Sequence, residues 1–358
     1  MPRAVLDMMD RRPIWAMPEW VPFAIRDALP SGWELIVIDE HTDGSGDGAA
    51  RVSPRVLDAV SEAEVYFGYG VPAELLDSGP RLRWVHSGAA GVGGSLTPTM
   101  LESPVIFTNS AGIHAPPMAE TVLGMLLHFC RGLDLAVQGQ SRGEWSSAEY
   151  YVAGAPLSEL SESTVGIVGF GGIGREIARR VASLGARVIA VRRGAPAEAD
   201  AELTSVLGGE KLGARIEILT GDAGLDRVYR ESDALIVAAP DTPETRGMID
   251  GKALGRMKPG AVLINVARGR LVDEAALIEA LSEGRLRGAG LDVFSHEPLP
   301  AGHPLWTLPN VMLTPHVSAV TRRFWGRETS LILRNLTRHL SAAPLVEWEN
   351  VVDKRAGY

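Results

Sequence analysis

Residues 164–185 have the sequence TVGIVGFGGIGREIARRVASLG. A β-branched stretch runs into the triplet Gly169, Gly171 and Gly174, and a helical pattern begins at once. The first glycine permits a tight turn, the second lets a ligand approach the backbone, and the third lets the helix pack on the strand. Free N–H groups at the start of a helix bind phosphate. The stretch therefore predicts a strand, a turn and a helix that bind the pyrophosphate of a dinucleotide, with an unliganded glycine turn as the alternative.

The chain around this stretch alternates between short buried strands and helices. A helix is predicted over 173–184, and strands over 164–168, 187–191, 234–238, 261–266, 289–293 and 311–314. Such alternation is typical of a parallel sheet with crossover helices. A polar insertion rich in glycine and alanine covers roughly 194–213.

The part of the chain before this sheet has a similar pattern. Short apolar or β-branched runs predict strands over 12–17, 34–39, 65–69, 83–87 and 105–109. A long apolar helix with a proline start and a glycine stop is predicted over 115–132, and an amphipathic helix over about 321–340. The whole pattern predicts an α/β protein with two doubly wound parallel-sheet domains.

Composition excludes several classes of protein. The 358 residues suffice for two domains, and a 46% hydrophobic content allows a sizeable core. The net charge of −9 argues against a nucleic-acid binder, which needs a basic face. No apolar run reaches the roughly 20 residues of a membrane span, and the N-terminus lacks the apolar core of a signal peptide. The single cysteine, Cys130, is interpreted as a small buried hydrophobe, which fits a cytoplasmic protein.

The strand after the glycine turn bears on the choice of dinucleotide. An NAD enzyme usually has Asp or Glu at its end, which accepts from the ribose 2′-hydroxyl. Here the strand ends in Arg192 and Arg193. Arginine forks suit a 2′-phosphate, so the sequence favours NADP over NAD. A pair of solvated arginines is the alternative.

Charged residues follow three later strands. Arg268, Asp292 and His316 lie at or just past predicted strand ends, and Glu297 follows soon after Asp292. Ligands of an open α/β sheet bind outside those ends. Reduction of a 2-oxo acid needs a cation for the carboxylate and carbonyl, a proton donor, and a group that keeps the donor protonated. Arginine, histidine and a carboxylate supply these properties.

At these residues the chain resembles the D-isomer-specific 2-hydroxyacid dehydrogenase family, and more narrowly its glyoxylate and hydroxypyruvate reductases. The motifs that carry the resemblance are VGIVGFGGIG, PDTPETRGMI, MKPGAVLINVARGRLVDEAAL, GLDVFSHEPLP and LTPHVSA. The resemblance implies that Arg268 binds substrate, that Glu297 pairs with His316, and that His316 is the acid/base. Asp292 would contact the nicotinamide carboxamide. Further cofactor contacts would come from Gly172, Ile173, Pro240, Thr245, Val266 and Ala267.

The resemblance also implies how the chain is divided. Residues 114–318 would form a Rossmann dinucleotide-binding domain, and 1–113 with 319–358 a discontinuous, flavodoxin-like substrate domain. The loop HSGAAGVGG would hold the substrate carboxylate through the N–H groups of Ala89, Ala90 and Gly91. A homodimer joined through the cofactor domains is expected.

The expected reaction is the reduction of a small 2-oxo acid to the D-2-hydroxy acid. Phosphoglycerate and phosphite dehydrogenases share the architecture, so their reactions stay open. A dinucleotide-sensing co-repressor on the same fold is the alternative from another class. No HExxH motif or paired Cys/His spacing occurs, so no metal is expected.

Overall fold

A computed structural model describes residues 1–42, 48–145, 147–194 and 215–357. The chain divides into two units, Met1–His114 with Val320–Tyr358, and Ala115–Ala319. Each division lies one residue from the expected boundary. The predicted insertion at 194–213 lies, apart from its first residue, outside the described part of the chain.

The first unit is built on a five-stranded parallel sheet in the order β2-β1-β3-β4-β5. This is the strand order of flavodoxin, which confirms the expected fold class. The strands are β1 (Arg3–Asp7), β2 (Glu34–Val37), β3 (Val65–Gly68), β4 (Trp84–Ser87) and β5 (Ile106–Asn109).

Helices cover both faces of this sheet. They are α1 (Trp20–Ala28), α2 (Pro54–Val60), α3 (Ala73–Ser78), α4 (Pro98–Glu102) and, from the end of the chain, α12 (Phe324–Leu340). Two of these helices begin with a capping residue followed by proline. Ser53 accepts from the Val56 N–H, and Thr97 accepts from the Met100 N–H. Separate apolar clusters fill the two faces.

The predicted first strand was wrong. Residues 12–16 form a turn, in which the N–H groups of Trp15 and Ala16 both donate to the carbonyl of Arg12. Pro13 has no N–H for a sheet and disfavours a strand there. The sheet instead begins at β1, whose short apolar run the sequence interpretation passed over.

The second unit contains a seven-stranded parallel sheet in the order β12-β11-β10-β9-β6-β7-β8. Its strands are β6 (Thr164–Val168), β7 (Arg187–Arg192), β8 (Ile216–Thr220), β9 (Ala234–Val237), β10 (Val262–Asn265), β11 (Gly288–Leu291) and β12 (Val311–Leu313). β8 was not predicted. The six strands from β8 to β11 have the Rossmann order, as expected, with β12 added at the edge.

Helices flank this sheet as well. They are α5 (Ala115–Cys130), α6 (Leu133–Arg142), α7 (Ala148–Tyr151), α8 (Gly172–Ser183), α9 (Gly221–Glu231), α10 (Gly251–Arg256) and α11 (Glu274–Ser282). The central strands are buried on both faces between two apolar clusters. The strand order reverses between β6 and β9, so a crevice is expected at the carboxyl ends of these two strands.

Candidate active site

The glycine turn lies at the reversal point of the second sheet. Gly169 follows β6 with φ +97°, and a Cβ there would lie 2.5 Å from the Ala239 nitrogen at the end of β9. A Cβ at Gly174 would lie 2.3 Å from the Gly169 carbonyl oxygen. At Gly171, the N-cap of α8, no atom lies within 4 Å of where a Cβ would be. Backbone atoms therefore pack closely around Gly169 and Gly174. The space beside Gly171, at the start of α8, is open and leaves room for a phosphate.

Two arginines end the neighbouring strand. Arg192 is the last residue of β7 and is half-buried, and Arg193 follows it and is exposed. The pKa of Glu244 is lowered, first by a hydrogen bond from Thr242 and also by the positive charge of Arg193. The cation at the end of β7 and the 240–245 loop are therefore electrostatic neighbours.

The 240–245 loop is held by its own polar groups. Thr245 Oγ1 donates to the Pro240 carbonyl at 2.6 Å and accepts the Thr242 N–H at 2.8 Å. Pro240 lies three residues after the end of β9, at the carboxyl edge of the sheet that also carries the glycine turn. The structure thus gives this predicted cofactor loop a fixed shape.

The buried carboxylate of Asp292 accepts four hydrogen bonds from the loop that contains His316. One carboxylate oxygen accepts Thr314 Oγ1 at 2.6 Å and the Val317 N–H at 2.9 Å. The other accepts the Ser318 N–H at 3.0 Å and the Ser318 hydroxyl. These four bonds match the acceptor capacity of a carboxylate. The structure therefore gives Asp292 a positioning role, and its predicted contact with the nicotinamide stays a prediction.

His316 and Glu297 form a hydrogen-bonded pair. The Nδ1 atom of His316 lies 2.7 Å from Glu297 Oε2, while Glu297 Oε1 accepts the Phe294 N–H at 2.9 Å. The backbone of His316 has φ +54° and donates its N–H to the Asp292 carbonyl. With Nδ1 directed at the carboxylate, Nε2 has no partner within the described residues. The ring is thus oriented to give or take a proton at Nε2.

Arg268 follows β10 in a tightly held loop. Its Nη1 donates to the Ala267 carbonyl at 2.7 Å. The buried Asn265 side chain accepts the Ala267 N–H and donates to the Arg268 carbonyl, each at 3.0 Å. A Cβ at Gly269 would lie 1.9 Å from the Phe294 carbonyl carbon, so only glycine permits this close approach. The Arg268 loop therefore packs against the segment that carries Glu297.

In the first unit, the loop after β4 presents backbone donors. This loop contains Ala89, Ala90 and Gly91, which were predicted to bind the substrate carboxylate. The predicted cofactor residues Ile173, Val266 and Ala267 belong to the second unit. The Ala89 N–H donates to Ser87 Oγ at 3.3 Å. Within the described part of the chain, the N–H groups of Ala90 and Gly91 have no acceptor, and both residues are half-buried.

A buried polar network, which the sequence interpretation missed, supports this loop. Asn109 Nδ2 donates to the Ala90 carbonyl at 2.7 Å, and the Ser110 N–H donates to the Ala89 carbonyl at 3.2 Å. Ser110 Oγ donates to Glu328 Oε2 at 2.7 Å. The other oxygen of Glu328 lies 2.8 Å from His86 Nε2, and neither side chain is exposed. The only sequence signal was a glutamate at an apolar position of α12.

Among the described residues, no group of three or more His, Cys, Asp or Glu side chains could hold a metal ion. None of the helices described is both long and apolar enough to span a membrane.

A dinucleotide turn and a histidine–carboxylate pair on one parallel sheet define a nicotinamide-dependent dehydrogenase. Residues 123–318 match the family model described as D-isomer specific 2-hydroxyacid dehydrogenase, NAD binding domain. The chain belongs to this family, as the motifs indicated.

Relatives and solved structures agree with this placement. The chain is 34% identical to a glyoxylate reductase of Thermococcus gammatolerans, over 80% of this chain and 83% of that protein. It is 36% identical to D-3-phosphoglycerate dehydrogenase of Mycobacterium tuberculosis, over 77% of this chain but 48% of that one. The NADPH-dependent glyoxylate/hydroxypyruvate reductase of Sinorhizobium meliloti, solved with NADP and sulfate, is 28% identical with a TM-score of 0.76 and full coverage of both chains.

Proposed function

We propose that this chain reduces a small 2-oxo acid, of glyoxylate or hydroxypyruvate size, to the D-2-hydroxy acid. His316 delivers the proton to the carbonyl oxygen from Nε2. The observation that carries the proposal is the 2.7 Å pair between His316 Nδ1 and Glu297, which fixes the ring and leaves Nε2 for substrate. A carboxylate at Nδ1 also stabilises the charge that the ring carries as an acid.

Arg268 is assigned to the substrate carboxylate and carbonyl, because its guanidinium is permanently charged and planar. The N–H groups of Ala90 and Gly91 are assigned to the substrate carboxylate. Two unpaired backbone donors in succession suit an anion better than a neutral group. Ala89 contributes mainly through its carbonyl, which the Ser110 N–H holds.

NADPH is the proposed cofactor, with NADH as the weaker one. The nicotinamide supplies the hydride. The open space above Gly171 and the closed base at Gly169 and Gly174 fit a pyrophosphate. Arg192 and Arg193 fit a 2′-phosphate, and no carboxylate ends β7 to accept from a ribose hydroxyl. The NADPH dependence of the Sinorhizobium meliloti enzyme supports this preference.

The test is a substrate panel run with NADPH and NADH in parallel, followed by absorbance of the reduced nicotinamide. Glyoxylate, hydroxypyruvate and pyruvate serve as oxo acids, and 3-phosphoglycerate and phosphite serve as hydride donors in separate assays with NADP⁺ and NAD⁺. We expect turnover of glyoxylate or hydroxypyruvate with NADPH, and its loss in His316→Ala. No oxidation of either cofactor with any oxo acid would overturn the proposal.

Phosphoglycerate oxidation is the second candidate, because the identity to the Mycobacterium tuberculosis enzyme is as high as that to the reductase. Turnover of 3-phosphoglycerate in the panel identifies it. Cofactor binding without any turnover would favour the dinucleotide-sensing alternative. A cytoplasmic location and a homodimer remain predictions from the sequence.

A further inference from the structure

The first unit contains a cavity of about 780 Å³ that no role proposed above uses. Small-molecule sites have volumes of roughly 300–1,000 Å³. The cavity is lined by the chain from Ala111 to Ile113, by residues of α12 and the two arginines that precede it, and by Trp20 and Asn350. The cavity is therefore large enough for a metabolite.

Arginine dominates the charged lining of this cavity. Four arginines contribute, namely Arg322, Arg323, Arg327 and Arg334. Among the described lining residues, Glu349 is the single carboxylate. The chain as a whole carries a net charge of −9, so this local excess of cations is opposite to the average of the protein.

Glu349 does not compensate the whole cluster. It receives a bidentate ion pair from Arg334, at 2.7 Å for both bonds, and a third bond from Arg338 at 2.9 Å. These two arginines already exceed its charge. The nearby Glu328 is also unavailable, because its carboxylate is fully buried and is bound by His86 and Ser110.

Within the described part of the chain, three of these guanidinium groups have no carboxylate partner. Arg327 makes one hydrogen bond, from Nη1 to the Ile113 carbonyl at 3.2 Å, which satisfies a donor but not the charge. The side chains of Arg322 and Arg323 are exposed and make no hydrogen bond or ion pair with the described residues. Like charges gathered in one concave surface repel one another, and an anion between them removes that repulsion.

We propose that this cavity binds a compact polyanion with at least two phosphate or carboxylate groups. Guanidinium forks bind both groups through paired hydrogen bonds. Three uncompensated cations call for a ligand with more than one negative charge, which separates this site from one for a simple 2-oxo acid. The proposal does not depend on the proposed reaction.

The small residue Gly326 provides a second way to test the site. It lines the cavity between the arginines, and no atom lies within 4 Å of where its Cβ would be. Gly326→Asp therefore introduces a carboxylate among the arginines while leaving each arginine in place.

Titration calorimetry of the full chain, with NADP at saturation, tests the proposal with sodium pyrophosphate and citrate as separate probes. We expect at least one probe to bind with a Kd below about 1 mM. Arg322→Ala/Arg323→Ala should weaken that binding by about tenfold or more, and Gly326→Asp should do the same. Tighter pyrophosphate binding identifies a phosphate ligand, and tighter citrate binding a carboxylate ligand.

A matched control removes the same charge elsewhere. Arg26→Ala/Arg51→Ala changes two exposed arginines of the same unit that do not line the cavity. This variant should keep the binding. The proposal is overturned if neither probe saturates by about 10 mM, if both cavity variants bind as the unchanged chain does, or if the control variant loses binding equally.

Discussion

His316 and Glu297 are joined by a hydrogen bond of 2.7 Å between Nδ1 and Oε2. The same carboxylate accepts the Phe294 N–H through its other oxygen, and this bond fixes the orientation of the glutamate beside the histidine. The pair is about one-third exposed, with 38% for the histidine side chain and 35% for the glutamate. A proton donor must have such access to reach its substrate.

Removing this pair should remove turnover without removing the cofactor. His316→Ala should lower kcat by about 10³-fold, and Glu297→Gln by about 10- to 100-fold, because acid catalysis is lost in the first and the ring is only misoriented in the second. The Kd for NADPH should stay within about twofold in both. His303→Gln is the control, since His303 pairs with Glu274 at 3.2 Å in the same unit. Near-normal kcat in His316→Ala would contradict the assignment.

Changing the arginines at the end of β7 should alter the choice of cofactor. Arg192→Ala/Arg193→Ala should raise KM for NADPH by about 10- to 100-fold and KM for NADH by less than about threefold, because only NADPH has the 2′-phosphate. Glu244→Gln should lower KM for NADPH slightly, since it removes an anion beside Arg193. Steady-state kinetics with both cofactors measures this, and equal effects on the two would refute it.

Asp292 should behave as a structural residue of the His316 loop. Asp292→Asn keeps the shape of the side chain but turns an amide NH₂ toward groups that themselves donate, including the Val317 and Ser318 N–H groups. We expect a loss of about 2–4 kcal/mol in the free energy of unfolding and a lower kcat together. Denaturant unfolding measures the first. An unchanged unfolding curve with reduced kcat would instead indicate direct contact with the cofactor.

The parts of the fold that the sequence predicted well are those dictated by local rules. The strand over 164–168 agrees with β6 because a β-branched run ends at a glycine that needs φ +97°. The edge strand β8 was missed because its residues are only partly buried and include Glu217, so its apolar signal is weak. A strand was predicted over 12–17 because the run is apolar. The structure has a turn at residues 12–16 instead, where Pro13 disfavours a strand.

The same contrast holds for the site. His316 and Glu297 are 19 residues apart and belong to recognisable motifs, so their pairing was expected. Glu328 and His86 are 242 residues apart, and they meet only because the last helix returns to the first sheet. No periodicity or spacing encodes such a contact. The support beneath the loop of Ala89, Ala90 and Gly91 therefore had to come from the structure.

That support gives a prediction for Asn109, whose amide holds the Ala90 carbonyl at 2.7 Å. Asn109→Ala should raise KM for the oxo acid by about 5- to 10-fold, because one hydrogen bond of about 1 kcal/mol orients the backbone donors. It should change kcat by less than about threefold. Asn310→Ala, which removes a similar bond to the Leu281 carbonyl in the other unit, is the control. A fall in kcat with constant KM would exclude this positioning role.

Asp7 should make the stability of the protein depend on pH. This residue ends β1, is 3% exposed and accepts the Tyr66 hydroxyl at 2.9 Å. Burial raises its pKa from 3.8 to about 6, a rise that Glu40 assists and the Tyr66 hydrogen bond opposes. Between about pH 4 and 6 the folded state therefore binds more protons than the unfolded one, so stability falls as the pH rises through this range.

Asp7→Asn removes this titration while keeping an acceptor for Tyr66. As the pH rises from about 4 to 7, the free energy of unfolding of the variant should increase relative to that of the unchanged chain by roughly 1–3 kcal/mol. A two-unit difference in pKa corresponds to about that amount. Denaturant unfolding at a series of pH values measures the gain. Asp27→Asn, at an exposed position of α1, should give no such trend. A constant difference between Asp7→Asn and the unchanged chain at every pH would mean that Asp7 has the same pKa in the folded and unfolded states, which would contradict the prediction.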